Sequence, residues 1–492
     1  MSKSIAVFTA VLVIILALTA AGSGVLAQSG TGVDNPPGEP ANPVSAAANP
    51  TVRVGLRIDR TSVKAGSEGP FELTDLSTGQ VVATLPSGEL EFTPSTRTIK
   101  VATLPPPGNT PAVLGTFAGP LRLRMVAQPP GTTPPPGTPP PGTPTPPTPP
   151  PAPVYLRVDG GPSYRGDLRI VVSPTGLLTA INDVSLESYL YGVVPREMPA
   201  SWAPEALKAQ AVAARSFALY QMSDGKYNGQ GFDLLATQDS QVYGGADGED
   251  PRSNAAVDAT AGQVVTYNGQ VADALFHASS GGYTENGEIV FGWPTPYLRG
   301  VPDFDQDYVY YNWTTDIPLA DMQKTISDAG YTKGQLYSVS PSGTRGVSGR
   351  YTAIKLVGSF GVVEIKANDF RRLFSLRSTL YTLINEAERW EDTPFPLGAD
   401  DPVVALGAAG VTTQVTTGSL TVLGADGRQA KLGSAVVLSR RLVPAAVRVD
   451  GHGWGHGLGL SQAGANALAA KKGYTYQQIL QYYYQGVKVE VK

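Results

Sequence analysis

The stretch VVPREMPASWAPEALKAQAVAARSFALYQM, Val193–Met222, sets a carboxylate between two prolines directly ahead of an alanine-rich run. Pro204 suits a first helical position, Glu205 suits the first turn, and the residues that follow are strong helix formers. Leu207, Ala211, Ala214 and Ala218 recur at helical spacing, a narrow stripe of small residues that lets this helix pack closely. Pro195 and Pro199 fix φ and bias their preceding residues toward extended conformations, so Glu197 is expected in a constrained, extended segment. Met198 and Trp202 are apolar neighbours able to desolvate that carboxyl and raise its pKa, as a general acid requires.

Outward from this stretch the pattern is mixed. DLRIVVSPTGLLTAIND, Asp167–Asp183, reads as two strands around a Pro-Thr-Gly turn. QVVTYNGQVADALFHA, Gln263–Ala278, reads as a hairpin about Asn268-Gly269 that carries His277 at the end of its second strand. Val52, Val54, Leu56 and Ile58 alternate in an early strand. Near the C-terminus Thr475 and Gln478 form a capping box, with Tyr474 and Ile479 as its hydrophobic staple. The fold class is therefore α+β: a β-rich core with a few helices, a small β-rich module over residues 51–128, and a main domain over 154–492 that contains an inserted β lobe at about 394–446.

Residues 129–153 are dominated by proline, with PPPGT recurring at five-residue spacing, and read as a linker or insertion. Such a run favours polyproline II, a semi-rigid spacer of roughly 3.1 Å per residue. The N-terminus reads as an export signal over residues 1–27: Lys3, an apolar run from Ile5 to Ala21, and Val25-Leu26-Ala27 as a cleavage site. The run is also near the lower limit for a spanning helix, so an uncleaved anchor is the alternative, and with it the one route to a membrane. Residues 28–50 form a Gly/Pro/Ala-rich lead. These features point to the cell envelope or beyond.

The 492-residue chain has no cysteine, and this removes disulfides, thiol redox chemistry and thiolate zinc sites. A net charge of −4 without blocks of like charge argues against a nucleic-acid binder. Two of the three histidines sit in DGHGWGHGLGLSQAGA, Asp450–Ala465. Helical i, i+4 spacing would suit zinc, but glycines at 451, 453, 455, 457 and 459 disfavour a helix by roughly 1 kcal/mol each. An extended strip is expected instead, with His452, Trp454 and His456 on one side and bare backbone on the other. The two imidazoles would then stand roughly 13 Å apart, a poor grip for one zinc ion. Bare backbone beside Trp454 suits a sugar-like ligand, with the indole as stacking platform. ASSGGYTE, Ala278–Glu285, supplies a tight turn, Ser279, Ser280, Gly281 and Gly282, beside His277, with no G-x-S-x-G elbow.

Six motifs in order, YRGDLRI, INDVSLESYLYGVVPREMPASWAPEALKAQAVAARSFAL, TQDSQVYGG, ASSGGYTE, FRRLFSLRST and GHGWGHGLGLSQAGANALA, together resemble the SpoIID/LytB family of bacterial cell-wall proteins. The resemblance covers most of the chain from Thr51, apart from the proline run and the lobe. It implies peptidoglycan chemistry. Sporulation members are lytic transglycosylases that cut glycan strands, favouring strands already stripped of stem peptides, beside an amidase partner, and LytB-type members are described as enhancers of an amidase. The Glu of the E-M-P motif, the family's acid, maps onto Glu197. Some members bind zinc with Cys and His; here Ser240 stands where a Cys often appears, so no metal or other cofactor is expected.

The expected function is an exported lytic transglycosylase acting on peptidoglycan glycan strands. Glu197 is the acid/base, and His277, Ser279–Gly282, His452, Trp454, His456, Ser461 and Gln462 bind substrate. Lys208 and Arg215, seven apart on one helix face, position the loop or meet the lactyl carboxylate of muramic acid. The rival is a non-catalytic wall-binding module that activates a cell-wall amidase. A single carboxylate suffices for the first: it protonates the leaving oxygen and then accepts the proton of the C6 hydroxyl as that hydroxyl attacks C1.

Overall fold

The structure, a computed structural model, describes residues 49–104, 110–126, 153–332, 334–396, 402–406, 412–416, 421–423, 429–431 and 436–492. The expected signal segment and most of the lead and proline run lie outside these residues. The chain begins with β1 (Thr51–Arg60), β2 (Val63–Ser67), β3 (Phe71–Asp75), β4 (Gln80–Leu85), β5 (Gly88–Ser95), β6 (Thr98–Leu104), β7 (Val113–Phe117) and β8 (Leu121–Met125). Beyond the proline run follow β9 (Leu156–Val158), β10 (Ser163–Tyr164), β11 (Asp167–Val172), β12 (Leu178–Ser185), α1 (Leu186–Glu197), α2 (Pro204–Asp224) and β13 (Leu234–Leu235).

Two sheets draw on both ranges. A seven-stranded sheet runs β13-β1-β12-β11-β8-β3-β4, and a six-stranded sheet runs β10-β9-β2-β5-β6-β7. β1 lies antiparallel to β12 with Val52 opposite Val184, so the early strands and the main domain form one hydrogen-bonded unit. Val52, Val54, Val63, Phe71, Leu123, Leu168 and Ile170 are all buried in a core that continues onto α1 and α2.

The helix α2 starts with Pro204 in its first turn and ends at Gly225 in the left-handed region. Burial extends well beyond the expected stripe, to every residue from Ala209 to Leu219. This helix is a central strut with neighbours on all sides, and the small alanines let them approach.

The next elements are α3 (Pro251–Asp258), β14 (Gln263–Tyr267), β15 (Gln270–Val271), β16 (Phe276–His277) and α4 (Gly287–Phe291). The Asn268-Gly269 turn is present, both residues having positive φ. Its second arm is shorter than expected, ending at Val271, and His277 belongs to a different ladder. A second lobe is built from β17 (Asn312–Pro318), α5 (Leu319–Asp328), β18 (Leu336–Arg345), β19 (Tyr351–Gly358), β20 (Gly361–Lys366) and α6 (Ala367–Leu373). Its separate core holds Trp313, Met322, Ile354, Phe370 and Val447.

The expected inserted lobe is a ribbon of β21 (Tyr381–Pro396) with, after the short strands β22 (Pro402–Leu406), β23 (Thr412–Thr416), β24 (Thr421–Leu423) and β25 (Gln429–Lys431), the returning β26 (Val436–His452). Tyr381 pairs with Gly451 and Pro396 with Val436, so the ribbon feeds the chain straight into the glycine–histidine stretch. The chain closes with β27 (Leu460–Ser461), α7 (Gln462–Lys472), α8 (Tyr476–Tyr483) and β28 (Lys488–Val491). The capping box of Thr475 and Gln478 forms at α8 as expected.

Candidate functional site

Glu197 is the last residue of α1. This corrects the expectation of an extended segment. Pro195 is tolerated in the final turn of the helix, and the N–H of Met198 still reaches the Val194 carbonyl at 2.9 Å. Pro199 then forces Met198 out of the helical region, to φ −134° and ψ 130°. The two prolines do fix the carboxylate, but at a helix C-terminus. The end of a helix dipole disfavours negative charge there, which suits a carboxyl that must hold a proton.

Long-range partners complete the setting. Glu197 Oε1 accepts the backbone N–H of Val242 at 2.9 Å. The Gln462 carboxamide donates to the same carboxylate. Burial raises the Glu197 pKa, and the bonds from Val242 and Gln462 partly offset that rise. No cation pairs with Glu197 among the described residues. Gln462 is itself anchored, its Nε2 lying 3.3 Å from Gln210 Oε1 on α2. Gln241 accepts from the Tyr189 hydroxyl at 3.1 Å and donates to the Ala214 carbonyl, tying the Val242 segment to α1 and α2.

Gln462 opens α7, and Ser461 caps it by accepting the N–H of Gly464. In the β16–β27 ladder, which is parallel, His277 lies opposite Ser461. The glycine–histidine stretch packs against the same edge, Trp454 exchanging backbone hydrogen bonds with Ser279 at 2.8 and 3.0 Å. It is not the flat strip expected from alternation. Gly453, Gly455, Gly457 and Gly459 all have positive φ, so the chain winds between the histidines. At Gly455 a Cβ would stand 2.6 Å from His277 Cβ, so glycine is required by the close approach as well as by φ +121°.

The winding separates the three side chains. His452 is exposed and lies 2.7 Å from Asn312 Oδ1. Trp454 is 38% exposed and meets the Tyr310 ring edge-to-face at 4.9 Å. His456 turns inward, its ring centroid 5.5 Å from that of His277. His456 Nδ1 accepts the Leu458 N–H at 3.0 Å, so its proton sits on Nε2 and goes to the Phe276 carbonyl. His277 Nδ1 donates to the Leu458 carbonyl at 3.0 Å, while its Nε2 is buried without a partner. Burial holds His277 well below the usual imidazole range and pushes His456 down to about 3, so both rings are neutral. They do not fit a zinc ion. Both His456 nitrogens are spent on the backbone, and no group of three or more His, Cys, Asp or Glu side chains converges among the described residues. Ser240, the stand-in for cysteine, accepts the N–H of Leu235.

Several expected substrate contacts are scaffold instead. Ser279 and Ser280 are fully buried and donate to Asp305 and Asp303 at 2.5 and 2.6 Å. Gly281 donates its N–H to Asp305 at 2.8 Å, and Gly282 its N–H to Ser280 Oγ. Arg350, also buried, closes this network by donating to the Ser280 carbonyl at 2.7 Å. Burial and the neighbouring Asp305 raise Asp303 to about 6, and burial lowers Arg350 to about 10. Ser461 is buried beneath, against Asp303. Lys208 pairs with Glu205 at 2.7 Å, one turn along the helix. Arg215 is 1% exposed and clamps Glu187 at 2.8 and 2.6 Å. The two cations share a helical stripe in sequence, yet Arg215 looks into the core, and neither is free for a ligand.

Sequence reasoning left out Gln241, Asp303, Asp305 and Arg350. FRRLFSLRST carries no residue with an assigned role, and TQDSQVYGG carries only Ser240, at the position where a Cys often appears. The density of acids and aromatics in DFDQDYVYYNW, Asp303–Trp313, was the signal for Asp303 and Asp305.

Residues 175–267 match the family model described as SpoIID, stage II sporulation protein. That range holds Glu197, α2 and Val242. The chain is 29% identical to the stage II sporulation protein D of Bacillus subtilis, over 63% of this chain and 76% of that protein. It is 30% identical to the amidase enhancer of the same organism, over 60% of this chain but 39% of that longer protein. An uncharacterized protein of Brachyspira hyodysenteriae is 28% identical over 67% of this chain and 73% of its own length.

Proposed function

The chain belongs to the SpoIID/LytB family, and from that premise we propose that it is a lytic transglycosylase that cuts peptidoglycan glycan strands with Glu197 as its single acid/base. A cell-wall-related role follows from the family; the reaction is this proposal. The observation that carries it is the state of Glu197: half-buried, unpaired with any cation among the described residues, one oxygen pinned by Val242 N–H, and a pKa raised by burial.

In that state the carboxyl keeps its proton to higher pH than a free glutamate does and donates it to the glycosidic oxygen as the bond breaks. The resulting carboxylate is stabilised by Val242 N–H and Gln462, which favour the charged form. It then accepts the proton of the muramic acid C6 hydroxyl as that oxygen closes on C1. The nucleophile is part of the substrate, so proximity replaces a bound water.

Two other carboxylates, Glu205 and Glu285, are otherwise engaged. Glu205 holds Lys208 and the N–H of Tyr476. Glu285 is fully buried and takes N–H groups from Asn286, Val347 and Ser348. That supports a one-carboxylate mechanism. Incubating the purified chain with peptide-free glycan strands tests it: anhydro-muramic ends from wild type and none from Glu197→Gln are expected, and ordinary reducing ends would mean a hydrolase.

A second reading has its own support in the 30% identity to an amidase enhancer. On that reading the chain binds the wall, does not cut, and stimulates a cell-wall amidase. Intact strand binding with no new ends, and faster amidase turnover in its presence, would favour it.

A further inference from the structure

Two cations selected from the sequence are consumed by Glu205 and Glu187, but a third stands open beside the glycine–histidine stretch. Arg377 lies with its guanidinium carbon 4.6 Å from the Tyr310 ring centroid and 5.7 Å from that of Trp454. Its backbone is held by Gly455, whose N–H meets the Arg377 carbonyl at 2.8 Å. No carboxylate pairs with it among the described residues. Its Nε is buried without a partner, and its two Nη nitrogens make no hydrogen bond to the described protein and reach solvent.

Such an arrangement is costly unless something occupies it. Arginine presents a planar fork suited to bidentate contact with a carboxylate, and aromatic faces on which it stacks hold that fork in place without neutralising it. Tyr310 and Trp454 fix the guanidinium, and the exposed part of Trp454 leaves an apolar face of the kind on which sugar rings stack. The place is tied to the acid through the backbone. Trp454 pairs with Ser279, two residues from His277; His277 pairs with Ser461; and Gln462 touches Glu197. Two ladder steps and two strand residues put Trp454 on the order of 15 Å from that point, within the reach of one oligosaccharide.

We propose that Arg377, held between Tyr310 and Trp454, is the carboxylate-reading element of a glycan subsite, where Trp454 stacks on a sugar ring and the guanidinium pairs with the free lactyl carboxylate of a peptide-free muramic acid residue. This rests on the glycan reading of the site. The discrimination it confers is electrostatic: a muramic acid whose lactyl group is amide-linked to a peptide has no anion at that position, and a chitin oligomer has none at all.

The test is calorimetric titration of the full chain carrying Glu197→Gln, so that nothing is cut, with two ligands of equal length: a peptide-free GlcNAc–MurNAc oligomer and a chitin oligomer. The muramyl ligand is expected to bind about tenfold more tightly, with the advantage shrinking as salt is raised. Adding Arg377→Gln should abolish the advantage and leave chitin binding in place. Arg377→Lys should restore part of it, which separates loss of charge from loss of fold. Trp454→Ala should weaken both ligands. The proposal is overturned if neither ligand binds, if Arg377→Gln keeps the advantage, or if it weakens both ligands equally. Its fate separates from that of catalysis. A chain that discriminates through Arg377 but cuts nothing keeps the subsite and loses the transglycosylase. One that cuts while Arg377→Gln still discriminates does the reverse.

Discussion

Arg215→Met is expected to cost the protein stability rather than ligand affinity. The guanidinium is 1% exposed; it donates to Glu187 at 2.8 and 2.6 Å, to the Gln263 carbonyl at 3.0 Å and to the Val257 carbonyl at 3.4 Å. These contacts join α1, α2 and α3 to the start of β14. Removing one partner of a buried pair strands the other charge, at about 3–5 kcal/mol. Glu187 keeps only the Gly262 N–H, at 3.2 Å, and its side chain is 16% exposed, so water relieves part of the penalty and the lower half of that range is expected. Glu187→Gln with Arg215→Met should be milder than the sum of the singles, with a coupling of about 1–3 kcal/mol. Urea unfolding of the four proteins gives the cycle. An Arg215→Met protein as stable as wild type but unable to bind glycan would refute the scaffold assignment and return Arg215 to the substrate.

Three further outcomes follow from the same geometry. Gln462→Ala removes a donor that favours the ionised acid, so the Glu197 pKa rises further and the alkaline limb of the pH–rate profile moves to higher pH, with a lower maximal rate; an unmoved limb would disconnect the two residues. His456 is depressed from about 6.5 in the unfolded chain to about 3 when folded, so below pH 6.5 the unfolded state binds the extra proton, and this group's contribution to stability is lost as pH falls, at up to about 1.4 kcal/mol per unit. Asp303, raised to about 6, works in the opposite direction as pH rises from about 4, so the comparison is with His456→Gln: the gap in urea midpoint between wild type and variant should narrow from pH 7 to pH 5, and a constant gap would contradict a neutral buried ring. Gly455→Ala drives a Cβ to 2.6 Å from His277 Cβ at φ +121°, and should cost about 2 kcal/mol or more with loss of glycan binding, read by thermal unfolding and pull-down on wall material.

The local elements were legible because their causes are local. Pro204 at a helix start, Asn268-Gly269 at a turn and the Thr475–Gln478 box all act within a few residues, and each formed where expected. Glu197 stood out for the same reason, since its prolines are its neighbours. The partners that tune it are 45 and 265 residues away, at Val242 and Gln462, and no local pattern brings them together. The glycine stretch misled because alternation specifies where glycines fall but not the sign of φ, and glycine takes either sign. Arg215 misled in another way. A charged residue on a helix beside the acid reads as reaching a ligand, but here the helix is covered from Ala209 to Leu219 and the charge is neutralised by Glu187.

Strand cleavage in water enriched in heavy oxygen tests the central claim most directly. If Glu197 transfers the proton of an internal hydroxyl, the new anhydro-muramic ends from wild type carry no solvent oxygen and are lighter by one water than hydrolytic reducing ends, and Glu197→Gln produces none. Heavy oxygen at the new ends, or the same ends from Glu197→Gln, would contradict a single-acid transglycosylase.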